Sequence, residues 1–222
     1  MSSDNARAKI FGQIRNAVAG AQADVGRRAA VEARIAAHKR GVVPARASVA
    51  GGEAMVAFVA RLKAASITVS EAAHLGDVPR LAAEYLRAHN LPARLRMGSD
   101  ADLAGLDWMA LNILPGPAQG TDETSIAKAF AGVAETGTLV LTSGPANPTT
   151  LNFLPETEIV VVRGADVVGG YEDAWDKLRA AFPAGLPRTV NWVSGPSRTA
   201  DIEQTIVMGA HGPRRLHVIV SG

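Results

Sequence analysis

Four consecutive β-branched residues, Ile159-Val160-Val161-Val162, constrain this chain more than any other stretch. Successive side chains of a strand point to opposite faces. A run with no polar alternate has to be covered on both sides, as inside a parallel sheet flanked by further layers. The rest of the chain agrees, because short apolar strand-like segments alternate with segments of helical period. Strands are predicted at 67–69, 94–97, 111–114, 139–141, 190–193 and 216–220. Helices are predicted over 4–19, 27–38, 55–62, 78–86, 122–132, 171–182 and 200–208. In the 122–132 segment the signal is Ile126, Phe130 and Val133; in the last helix Asp201 and Glu203 fall in the first turn, where the macrodipole favours acids. The pattern is that of an α/β fold with ligands at the carboxyl edges of strands.

At 222 residues the chain can bury one large core, with or without an arm. It has no cysteine, so it forms no disulfide of its own and offers no thiolate to zinc, to an iron–sulfur cluster or to catalysis. No apolar run approaches the roughly 20 residues of a membrane span, and the N-terminus lacks a signal-peptide core. The expectation is a cytoplasmic protein with no membrane span. Charge is uneven. Residues 1–50 hold nine Lys or Arg against three acids, a net of +6, and the other 172 residues hold 14 against 18, a net of −4. Gly41 and Pro44 break the helical pattern, so a helical arm is placed at 1–45 and the body at 46–222. A basic arm suits an acidic partner, or the acidic body of a second copy in a homo-oligomer, or is simply a solvated helix face. With one aromatic, Phe11, and no reader motif, nucleic acid is not expected.

Three predicted strands end alike, in Pro115-Gly116-Pro117, Ser143-Gly144-Pro145 and Ser194-Gly195-Pro196. Gly lets a backbone approach a ligand and Pro fixes the exit, so these turns either share a crevice or are ordinary turn chemistry. Glu135, before Thr136-Gly137 and the strand at 139–141, is the sharpest catalytic candidate: desolvation there would raise its pKa and suit a base or nucleophile. It is equally suited to a structural role in a turn. Ser197, Arg198, Thr199 and Asp201 would open the last predicted helix, where free N–H groups and a guanidinium suit a small anion, although Thr199 is also a natural N-cap. The candidate site is therefore Glu135 as the catalytic acid, with Thr136, Gly137, Ser143, Gly144, Ser194, Gly195, Ser197, Arg198, Thr199 and Asp201 around a small anionic ligand. His211 and His217 read as a turn and a strand histidine rather than a metal pair, and neither metal nor cofactor is expected. No phosphate loop, dinucleotide fingerprint, nucleophile elbow or His-Glu-x-x-His occurs.

The segments Ala134-Glu135-Thr136-Gly137-Thr138-Leu139-Val140-Leu141, Ser194 to Glu203, Gly209-Ala210-His211-Gly212-Pro213 and His217 to Val220, in that order, resemble the LutC/YkgG family of LUD-domain proteins. The resemblance spans about residues 45–222. It implies a three-layer α/β/α sandwich with a mixed, largely parallel sheet, like the NagB/RpiA/CoA-transferase group. It also implies a bacterial cytoplasmic role in oxidising L-lactate to pyruvate beside separate iron–sulfur subunits, which a cysteine-free chain would need as partners. CoA transferases of this fold group carry a glutamate in a Glu-x-Gly context as acyl acceptor. Glu135-Thr136-Gly137 is similar over those three residues, which leaves an independent acyl- or phosphoryl-substrate enzyme as the alternative.

Overall fold

The computed structural model describes residues 3–22, 25–108, 110–202, 205–209 and 211–222; side chains at 3, 4, 20–22, 199–202 and 205–208 lie outside the description. Two units are described, residues up to Val42 and Val43–Gly222. The first holds helices α1 (Ser3–Gln22) and α2 (Val25–Ala36). On α1 the apolar residues Ile10, Phe11, Ile14 and Val18 recur at helical spacing and all are about half exposed.

The second unit runs α3 (Gly51–Ala64), β1 (Thr68–Ala72), α4 (Val78–Ala88), β2 (Arg94–Met97), α5 (Ala101–Ala104), β3 (Asn112–Pro115), β4 (Thr124–Lys128), β5 (Ala131–Val133), β6 (Thr138–Thr142), β7 (Thr157–Arg163), β8 (Val167–Val168), α6 (Tyr171–Ala181), β9 (Val190–Val193), β10 (Arg198–Ile202), β11 (Thr205–Met208) and β12 (Arg215–Ser221). Six strands form a sheet in the order β1-β12-β7-β4-β2-β3, and every pairing in it is parallel. β7 lies inside it, between β12 and β4. Its β-branched run divides by parity. Ile159 and Val161 join Tyr85 and Leu86 of α4 on one face, and Val160 and Val162 join Phe58 and Leu62 of α3 on the other. Both faces are dry, which is what a continuous apolar run requires.

The α/β class and the largely parallel central sheet are as the sequence implied. A second, mixed sheet, β8-β5-β6-β9, stands apart from the first: β8 pairs parallel with β5, and β5 with β6 and β6 with β9 pair antiparallel. One face of that second sheet, through Leu139 and Leu141, packs with α3 against the parallel sheet, and the other, through Ala131, Val133 and Val140, receives Ala174 and Leu178 of α6.

Two predicted helices are strands. Residues 122–132 form β4 and then β5, not a helix. Ile126, Phe130 and Val133 have helical spacing, but Thr124, Ser125, Ile126 and Ala127 are all buried, as a strand between β7 and β2 demands. The predicted helix over 200–208 is a hairpin, β10 paired antiparallel with β11, with Thr199 opposite Val207 and Ile202 opposite Thr205. Its β-branched residues favour strand, and two acids near its start are not by themselves a helix signal.

Candidate functional site

The turn between β5 and β6 carries Glu135, and its shape is set by backbone pairing on both sides. Ala134 N–H donates to Val168 O (2.8 Å) and Glu135 N–H to Gly169 O (2.9 Å), while Gly137 N–H closes back on Val133 O (2.9 Å). Gly137 has φ +68°, and a Cβ there would lie 2.8 Å from Arg61 Cβ and 2.9 Å from Leu62 N. Only glycine lets this turn sit on α3. The Glu135 side chain is 7% exposed, and its Oε1 lies 2.8 Å from Nη2 of Arg46, whose own side chain is 61% exposed. The segment bearing Arg46 is held close by a second glycine. A Cβ on Gly169 would fall 2.2 Å from Ala47 O and 2.5 Å from Val49 O. Glu135 Oε2 faces Gly170, the residue before α6, where the helix dipole favours a negative charge.

Beside Glu135 four hydroxyls form a closed network. Thr136 Oγ1 donates to Tyr171 Oη (3.0 Å) and shares a hydrogen bond with Thr138 Oγ1 (2.7 Å). Thr138 Oγ1 also meets Tyr171 Oη (2.9 Å) and Ser194 Oγ (2.7 Å). The last contact follows from topology. β6 and β9 are antiparallel with Leu139 opposite Val193, so the residue after β9 falls beside the first residue of β6. Because Thr136 donates to Tyr171, it accepts from Thr138, and Thr138 accepts in turn from Tyr171 and Ser194; all four protons are used within the network, which leaves lone pairs to face a bound molecule.

The antiparallel pairing also separates what the sequence grouped. Ser143 and Gly144 stand at the opposite end of the β6–β9 pair, where Ser143 N–H donates to Thr189 O and Ser143 Oγ accepts from Thr189 N–H. The Pro-Gly-Pro turn follows β3, at the far edge of the other sheet. The three similar turns therefore form no common crevice. The anion clamp loses its premise too, since the backbone at 198–202 is strand and offers no helix N-terminus. Arg198 Nη2 donates instead to Ser66 Oγ (2.8 Å) and Ala65 O (3.2 Å), just past α3, and a Cβ on Gly195 would lie 3.4 Å from the same Ala65 O. Ser197 ties down the loop before β12: its N–H donates to Pro213 O, its O accepts from Gly209 N–H and its Oγ accepts from His211 N–H. The side chains of Thr199 and Asp201 lie outside the described residues. Of the expected residues, Glu135, Thr136, Gly137 and Ser194 come together. Arg46, Thr138 and Tyr171 complete the cluster and were missed. Arg46 sits in a linker with nothing to mark it, whereas Tyr171, directly after Gly169-Gly170, was a readable signal of a polar contact at a helix start.

Two buried titratable groups stand apart from this cluster. Glu158 on β7 is fully buried; its Oε1 accepts from Asn152 Nδ2 at 2.6 Å, and Asn152 Nδ2 also reaches Asn147 Oδ1 at 3.3 Å. Burial pushes the Glu158 carboxyl up to about 8, against the smaller opposing effect of the Asn152 hydrogen bond. Glu158 Oε2 and Asn152 Oδ1 have no partner among the described residues, and both would be satisfied by a protonated carboxyl donating to the amide oxygen. His217 on β12 stacks on Tyr85 with ring centroids 4.1 Å apart, and its Nδ1 lies 2.8 Å from Thr68 Oγ1. Burial, then the neighbouring His89, lowers it to about 4. His217 is thus a core histidine, while His211 is exposed, and the two do not form a metal pair. Among the described residues no group of three or more His, Asp or Glu is placed to hold a metal, and no helix is long and apolar enough to cross a membrane.

With this geometry established, residues 119–221 match the family model of the LUD domain. Residues 119–221, a little under half of the chain, are therefore similar to the LUD-domain family. It is similar to lactate utilization protein C of Geobacillus sp. (strain WCH70), 37% identical over 90 residues, covering 40% of this chain and 37% of the relative. It is similar to lactate utilization protein C of Deinococcus radiodurans, 40% identical over 91 residues (40% and 42%), and to that of Bacillus subtilis, 36% over 92 residues (40% and 38%). The matches thus span about two fifths of these relatives' length. A crystal structure of a DUF162 family protein from Deinococcus radiodurans superposes with a TM-score of 0.61 at 23% identity, covering 78% of this chain and 99% of that one, a likeness of fold. The LUD segment contains Glu135, Thr136, Thr138, Tyr171 and Ser194, whereas Arg46 lies outside it.

Proposed function

We propose that this protein serves lactate utilisation in a bacterial cytoplasm, as a cluster-free component that holds a small hydroxy acid beside separate iron–sulfur subunits oxidising L-lactate to pyruvate. The observation that carries this reading is the similarity of the chain to several proteins named lactate utilization protein C. The geometry is compatible with it. The largely exposed Arg46 guanidinium offers a carboxylate partner, and the lone pairs left on the Thr136, Tyr171 and Ser194 hydroxyls offer acceptors to an acid's own hydroxyl. With no cysteine, the chain has no thiolate for a cluster and would rely on partner chains for electron transfer. The test is deletion of the gene followed by growth on L-lactate and on glucose, with affinity purification of the tagged protein from lactate-grown cells. The reading expects growth to fail on lactate alone and iron–sulfur subunits to co-purify. Normal growth on lactate together with no such co-purification would sink it.

A second reading has one observation in its favour: Glu135 is a buried carboxylate beside four hydroxyls, a setting that suits a base or a nucleophile toward an acyl or phosphorylated small molecule. It expects Glu135→Gln to abolish turnover of such a substrate in a folded protein.

A further inference from the structure

A cavity of ≈ 540 Å³ opens between α3 and the carboxyl ends of β1 and β12, and it shares no residue with the Glu135 cluster. Its walls are apolar, from Met55, Val56 and Val59 of α3 and Val220 of β12. Val56, 72% exposed, stands at its mouth. Two charged residues also line it, Lys63 on α3 and Glu71 on β1. Neither makes a hydrogen bond or ion pair among the described residues, although most other charged side chains of this unit are paired. Carboxyl ends of adjacent parallel strands are where α/β sheets bind ligands, and the volume is that of a small-molecule site.

We propose that this cavity binds an apolar carboxylic acid whose 2-position carries a hydrogen-bond donor, with the carboxylate on Lys63, the donor on Glu71 and the apolar body against Met55, Val56 and Val59. The charges decide the class. A simple fatty acid would satisfy Lys63 but place its own charge near an unpaired Glu71. A 2-hydroxy acid or a 2-amino acid satisfies both, since its hydroxyl or ammonium donates to the carboxylate. The apolar walls favour a bulky side chain over a methyl group, by roughly fourfold in affinity for each buried methylene.

Isothermal titration of the full chain with 3-phenyllactate, phenylalanine and 3-phenylpropanoate tests the assignment, the first two separating hydroxyl from ammonium as the donor. The expected result is saturable binding of at least one of the first two, with 3-phenylpropanoate weaker by about fivefold or more. Lys63→Ala and the cavity-filling Val56→Trp, both at exposed positions and checked by circular dichroism, are each expected to weaken that binding about tenfold or more. Three outcomes overturn the proposal: no saturable binding by either ligand up to about 10 mM, equal binding of 3-phenylpropanoate, or binding that both variants leave unchanged.

Discussion

Arg46 and Glu135, 89 positions apart in sequence, form a 2.8 Å ion pair whose two ends see different surroundings, one side chain 61% exposed and the other 7%. The pair fastens the segment at 45–49 to the turn before β6, and Gly169 beneath it permits the close backbone approach. Its worth lies mainly in what its loss would leave behind. Removing Arg46 strands a carboxylate in a buried turn, whereas removing Glu135 frees a guanidinium that is already mostly in water.

Arg46→Ala should therefore cost more than the mirror change. Urea unfolding is expected to give a loss of about 1–2 kcal/mol for Arg46→Ala and less for Glu135→Gln, whose amide keeps a hydrogen-bonding group in the turn. The double variant should lose less than the sum of the two, because the stranded charge is gone. Equal single effects that simply add would show that the pair is a surface contact.

The pH dependence of stability should show two opposed slopes. Glu158, raised to about 8 in the folded protein from an ordinary 4.5, keeps a proton that the unfolded chain releases, so its contribution falls as pH rises from about 4.5 through 8. His217, lowered to about 4 from 6.5, stays neutral where the unfolded chain takes up a proton, so its contribution falls as pH drops from about 6.5 through 4. Urea midpoints measured between pH 4 and 9 should bear this out. Glu158→Gln should flatten the alkaline decline and raise stability at pH 8 by about 1 kcal/mol or more, since it removes the cost of deprotonation. His217→Phe should flatten the acid decline at little cost near neutrality, because the exposed Thr68 hydroxyl can turn to water. Unchanged slopes in both variants would rule out this account.

Within the hydroxyl cluster, Thr138 is the shared member, touching Thr136, Tyr171 and Ser194. Thr138→Val keeps the shape and deletes the centre of the network, so it should cost about 1–2 kcal/mol, more than Tyr171→Phe or Ser194→Ala alone. Thermal unfolding of the three variants orders them. A Ser194→Ala variant as damaged as Thr138→Val would mean that β9 depends on its last hydroxyl and not on the network.

How much of this was readable depends on where the deciding force acts. Ile159 to Val162 announced a strand covered on both faces, because that requirement is local and every residue of the run obeys it. Tyr171, Trp175 and Leu178 announced α6 for the same reason, with Trp175 and Tyr171 packing on Trp192 of β9. The hairpin β10–β11 carries β-branched residues that favour strand, but two acids near its start imitate a helix start. The strand β4 was not readable: alanine and serine carry no strong local preference, and the conformation is chosen by neighbours far away in sequence, such as Thr157 opposite Thr124. The site divides in the same way. Glu135, Thr136 and Gly137 share one turn and could be found together, and Ser194 was found through its Gly-Pro turn. Whether Ser143 or Ser194 joins Glu135 depends on β6 and β9 being antiparallel, which no pattern within either strand reveals.

Gly132 in β5 shows what that distant choice demands. The segment 122–132 passes for a helix only while nothing lies against it, yet a Cβ on Gly132 would fall 2.6 Å from Cζ and 2.9 Å from Cε2 of Phe58. Phe58 is fully buried on α3, so its ring has little room to retreat. Gly132→Ala should then destabilise by about 1–3 kcal/mol through overpacking, even though alanine suits a helix better than glycine does. Shortening the opposing ring should relieve it. Phe58→Leu alone is expected to cost about 1–3 kcal/mol for the lost packing, and the double variant should be more stable than the sum of the two losses by about 1 kcal/mol. Urea unfolding of the four proteins measures that coupling. Strictly additive losses would mean that α3 and β5 do not meet ring against backbone, and with that the packing of the second sheet on α3 would need a different basis.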